Sequence, residues 1–146
     1  MEQVVNNHSF QIIIQSDNGD NLSEYWQDQC KYLFDELSSV LPEGSIKPLV
    51  LESSEGEKAV DLTYFSTLVV SEFAPKFFAF VFVETIIEAF KNWFEYRKNS
   101  NIELKYPDGN ITELSISCLS ELLKYSKENP QLSISEVLDH LKNFKE

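Results

Sequence analysis

Residues 62–97 read LTYFSTLVVSEFAPKFFAFVFVETIIEAFKNWFEYR, and they hold the densest apolar run in a chain of 146 residues. Asp61 suits a helix N-cap, and Leu62, Phe65, Val69 and Phe73 recur at helical spacing, so a first helix is expected up to about Ala74. Pro75 is tolerated only in the first turn of a helix, which predicts that a second one begins there and runs over about 75–97. Its stripe is Val83, Ile86, Ile87, Phe90, Trp93 and Phe94, opposite Glu84, Glu88, Lys91, Asn92 and Glu95. Residues 77–83, FFAFVFV, are apolar all round and suit a buried strand as well as a helix. The pattern enters Glu84 without a turn residue, which favours helix. Glu72, Lys76 and Glu84 keep each apolar run far below the roughly 20 residues of a membrane span.

Upstream, Phe10, Ile12 and Ile14 alternate with Ile13 on the other side, the mark of an interior strand. DNGDN then supplies turn chemistry, and Asn21 with Glu24 has capping-box spacing. Leu22, Trp26, Cys30, Leu33, Leu37 and Val40 or Leu41 step by three and four along a helix to about Ser39. Residues 46–51 come next as a second strand, with Pro48 near its start or on a sheet edge. Strand, helix, strand at this length favours a parallel pair joined by a right-handed crossover. The polar loop ESSEGEK, residues 52–58, precedes the apolar stretch.

Downstream, Ile102, Leu104 and Tyr106 alternate with Glu103 and Lys105, Pro107-Asp108-Gly109-Asn110 turns, and Thr112, Leu114 and Ile116 alternate again: a hairpin. Leu119, Leu122 and Leu123 begin a short helix that Asn129-Pro130 ends. Ser133 and Glu136 open a last helix with Ile134, Val137, Leu138, Leu141 and Phe144 on one stripe, which docks on the sheet or meets another chain. The fold expected is a single domain over 1–146, α+β or α/β, with a mixed four-stranded sheet in the order β-α-β-α-α-β-β-α-α around a central apolar helix pair.

Twenty-four acidic residues against twelve basic ones give a net charge of -12, which disfavours nucleic-acid phosphate and anionic lipid and favours basic partners. Cys30 and Cys118 fall among apolar residues and are expected as buried thiols. MEQVVNNHSF shows no basic region or long apolar core of a secretory signal, so the cytoplasm is the expected compartment. His8 and His140 have no metal-binding companion at usable spacing, and four glycines do not build a phosphate loop. No catalytic residue, metal or cofactor is assigned. The candidate partner-binding residues are Glu55, Gly56 and Glu57 in the polar loop, with Tyr25 and Trp26 on the first helix. Trp26 fits either a contact patch or the core, whereas Trp93 fits the core through its stripe.

Residues 10–14, Gly56-Glu57, residues 89–97 with Trp93 and Arg97, residues 102–106, Asp108-Gly109 and residues 119–123 together resemble the effector-associated constant component, a small domain of prokaryotic conflict systems. The resemblance spans about residues 9–125 and implies a non-enzymatic adaptor or sensor. It implies effector partners such as caspase-like or trypsin-like proteases, and it carries over no catalytic residue. A homo-oligomer remains open. The alternative from charge alone is an acidic inhibitor, either an immunity protein for a basic toxin or a nucleic-acid mimic.

Overall fold

The structure, a computed structural model, describes residues 9–16, 19–53, 60–70, 79–97 and 100–144. Its order is β1 (Gln11–Gln15), α1 (Glu24–Val40), β2 (Ile46–Ser53), β3 (Val60–Val70), α2 (Ala79–Tyr96), β4 (Asn101–Lys105), β5 (Ile111–Glu113), α3 (Ile116–Glu128), α4 (Ile134–Asp139) and a 3-10 helix, His140–Asn143. The five strands form one α+β sheet in the order β2-β3-β1-β4-β5, every neighbouring pair antiparallel. The first six elements are the split β-α-β, or ferredoxin-like, arrangement. The β4–β5 hairpin extends one edge of that sheet.

Three expectations about the sheet change. The helix expected over residues 62–73 is instead β3 as far as Val70, so the apolar pair is a strand and a helix, and the sheet has five strands instead of four. Threonine, tyrosine, phenylalanine and valine in TYFSTLVV favour a pleated surface. A register shift hid the period of two: Pro48 of β2 pairs with Leu68 but Leu49 pairs with Tyr64, so residues 65–67 bulge. Phe65 and Ser66, although adjacent, both turn toward α1, where Phe65 meets Phe34 at 5.6 Å and Ser66 bonds Gln27. The apparent helical stripe joined Phe65, which faces α1, to Val69, which lies on the other face of the strand. Finally, β1 and β2 run parallel, as a crossover requires, but they are not partners, because β3 is inserted between them and makes the sheet antiparallel instead of mixed.

Other boundaries reflect local chemistry. Residues 79–83 are helical, as their continuity with Glu84 predicts, and β1 lies in the interior of the sheet. Ser23, not Asn21, caps α1, its hydroxyl accepting from the Trp26 backbone N–H at 3.1 Å. Leu22, placed on the apolar stripe, precedes the N-cap and is 75% exposed, and of the two alternatives at the end of the stripe Leu41 is buried while Val40 is 63% exposed. Ile116 belongs to the first turn of α3, capped by Ser115, and not to the hairpin. Gly109, at φ 92°, makes the hairpin turn where an L side chain would be strained. Ser133 and Glu136 form the expected capping box of α4.

Among the described residues, α1, α2, α3 and α4 cover one face of the sheet. Ile12, Ile14, Leu68, Val70, Ile102 and Leu104 point into it and are buried. Phe82, Val83 and Ile86 of α2, Leu119 and Leu122 of α3, and Leu138 of α4 close around Ile12 and Leu104. Cys30 and Cys118 are buried free thiols. Among the described residues no helix is long and apolar enough to cross a membrane.

Candidate functional site

α1 and α2 lie side by side and antiparallel over the sheet, so the start of α1 meets the end of α2. There Trp26 and Trp93 pack edge to face at 5.6 Å, 3% and 8% exposed. Each indole has a partner: Trp26 Nε1 donates to the Ile14 carbonyl at 3.3 Å, and Trp93 Nε1 donates to Ser100 Oγ at 2.9 Å. A buried indole N–H left unpaired would be costly, and these bonds fix both rings in the core. Trp26 is therefore an interior anchor and not a contact residue, which corrects its place among the candidates. Tyr25, its neighbour, stays 58% exposed.

Over this pair lies Arg97, just past the last turn of α2. Its guanidinium sits 5.7 Å from the centre of the Tyr25 ring and 6.0 Å from that of Trp93. It donates to the Tyr25 hydroxyl at 3.2 Å and to Gln29 Oε1. Among the described residues Arg97 has no carboxylate in ion-pair reach, so aromatic faces and neutral acceptors hold it. Beneath it, Cys30 is fully interior, and burial pushes its thiol up to about 12 against the lesser, opposing pull of Arg97. A thiol so protonated is a poor nucleophile.

Further along, the helices part. Glu36 and Val40 of α1 face Glu84, Thr85, Glu88, Ala89 and Asn92 of α2 across a groove of about 340 Å³. Exposed Val40 and the almost fully buried Ala89 are the apolar residues of its lining, while exposed Glu36, Glu84 and Glu88 form an acidic rim. The only ion pair made by a rim carboxylate, among the described residues, is Glu84 with Lys127 at 3.9 Å, more than half exposed on both sides and hence weak. The flank of α1 that borders the groove carries Tyr25, Gln29, Tyr32, Glu36 and Val40, which helical geometry aligns. Tyr32 is 73% exposed, and Tyr96 at the end of α2 is 84% exposed.

The groove offers binding chemistry. Paired carboxylates act as acid and base when burial drives their proton affinities apart, and these three are exposed. Among the described residues no group of histidine, cysteine and carboxylate side chains could hold a metal. His140 stacks on Tyr125 at 3.7 Å, and its Nε2 lies 2.9 Å from Glu121 Oε2, an arrangement that ties the 3-10 helix to α3. Glu55, Gly56, Glu57 and His8 lie outside the described residues.

The wall from α2 was not foreseeable from sequence. The line Tyr25, Gln29, Tyr32, Glu36, Val40 is legible once α1 is drawn, but nothing local says that α2 lies beside it. Compared with models of known families, with curated proteins and with solved structures, the chain matches none.

Proposed function

We propose that the chain is a non-catalytic adaptor or sensor module that binds an effector protein, of the caspase-like or trypsin-like kind, in a prokaryotic conflict system. The α1–α2 groove is the contact surface. The observation that carries this reading is the pairing, in that groove, of a small apolar floor with a rim of three unneutralised or weakly paired carboxylates, bordered by exposed tyrosines. Such a surface suits a partner segment that offers one small apolar side chain between lysines or arginines. Charge complementarity at the rim speeds encounter and selects the partner, while burial of the floor slows release. The resemblance carried in part by Trp93 and Arg97 supports the same reading, and Arg97 bonds Tyr25 and Gln29 on the flank of α1 beside the groove.

The acidic rim also favours a second reading, an inhibitor that occupies the basic surface of a toxin. Inhibition of an isolated basic enzyme at stoichiometric ratio, with no effector co-purifying, would select it over the adaptor.

The test is affinity purification from the native cell with partners identified by mass, using the wild type and the triple variant Glu36→Gln, Glu84→Gln, Glu88→Gln. The wild type is expected to retain an effector whose capture weakens as salt screens the rim, and the variant to bind it at least about tenfold more weakly while melting normally. Equal capture by both proteins would overturn the assignment of the groove.

A further inference from the structure

The helices cover one side of the sheet, and among the described residues nothing packs on the other. That outer face has a definite pattern. One cross-strand row reads Lys47, Val69, Gln11, Lys105 and Ile111, and the next reads Thr67, Ile13, Glu103 and Glu113. Ile13 and Val69 are half-buried by their neighbours, and Gln15 Nε2 holds Glu103 Oε1 at 3.1 Å. Two lysines against two glutamates make these two rows neutral in a chain of net charge -12.

We infer that this face is where a second copy of the chain docks, forming a two-fold dimer sheet against sheet. Copies carrying so many like charges repel, and these two rows, neutral as a set, add nothing to that repulsion. The rows are also self-complementary. A two-fold axis lying between the faces and running across the strands, midway between the rows, sets each row on the other. Lys105 of each copy then meets Glu103 of its mate, and Ile13 of each meets Gln11 beside Val69. The contact is isologous, as a closed dimer requires. Two rows are about 7 Å apart along a strand, so an axis about half that distance from each row seats both charge pairs together. The groove lies on the far side of each copy, so the dimer leaves two grooves free. The inference does not depend on what the groove binds.

Sedimentation equilibrium of the full chain from roughly 10 µM to 1 mM, at about 0.15 M salt, tests it. The wild type is expected to pass from monomer to dimer within that range. Lys105→Glu alone and Glu103→Lys alone should each weaken the dimer about tenfold, and the double variant should restore it. Both positions are half-buried on the outer face, and the thermal midpoint of each variant reports whether it remains folded. A wild type that stays monomeric throughout overturns the inference, whatever the variants do. So does a dimer indifferent to either single reversal, or a double variant no better than the singles.

Discussion

Trp93 and Tyr106 are both large, aromatic and buried, yet they bear on stability in different ways. The Trp93 ring packs on Trp26 and its N–H is paired, so Trp93→Ala removes packing and leaves a cavity. A loss of about 3 to 5 kcal/mol in denaturant unfolding is expected. Tyr106 is 1% exposed, and its hydroxyl meets no partner at hydrogen-bond geometry among the described residues. Burial accordingly pushes its phenol upward. Tyr106→Phe should change stability by less than about 1 kcal/mol or raise it, because the lost group was making no bond. A loss near that of Trp93→Ala would show that the hydroxyl has a partner. The core role of Trp93 was legible from its stripe, whereas Trp26, also on a stripe, fitted either the core or a contact patch. Adjacent helical positions differ by 100°, so the stripe that Trp26 shares with Cys30, Leu33 and Leu37 turns Tyr25 outward, but a large aromatic on a stripe also fits an interface.

At the scale of elements, β3 shows why periodicity misled. Its bulge puts two neighbouring side chains on one face, and the backbone N–H groups it frees from the β2 ladder need acceptors. Gln27 of α1 supplies one: its Oε1 accepts from the N–H of Phe65 at 2.7 Å and of Ser66 at 3.2 Å, while its Nε2 donates to Ser66 Oγ at 2.9 Å. Gln27→Ala should cost about 1 to 3 kcal/mol by orphaning those groups, with faster amide exchange at residues 65 and 66. Unchanged exchange there would mean that water serves as well. No sequence pattern marks a glutamine for this role. The β4–β5 hairpin was legible by contrast, since alternation and the Asp-Gly turn are both local. Its turn is tied to the C-terminal helices by Lys142, whose Nζ lies 2.8 Å from Asp108 Oδ2. That hydrogen bond holds the Asp108 carboxyl below its ordinary 3.8. The tie therefore acts fully above the ordinary carboxylate pKa and is lost as pH falls through the depressed one. Lys142→Ala should return the Asp108 titration, monitored by NMR, toward 3.8; an unmoved midpoint would remove Lys142 as its cause.

For the whole molecule, class and most elements could be read from the chain, but strand order could not. Inserting β3 between β1 and β2 depends on pairings between residues far apart, such as Gln11 with Val69, which leave no local trace. That insertion sets α1 and α2 side by side on one face and, among the described residues, leaves the other face uncovered, and both proposed contact surfaces result from it. NMR shift mapping of the isotopically labelled chain, titrated with a short peptide carrying lysine and arginine around a small apolar residue, tests this division most directly. Perturbations should cluster at Gln29, Glu36, Val40, Thr85, Glu88 and Asn92, and fade in the triple glutamine variant. Perturbations centred on Ile13 and Val69 of the sheet face, or none at millimolar peptide, would contradict a groove that acts by binding basic partners.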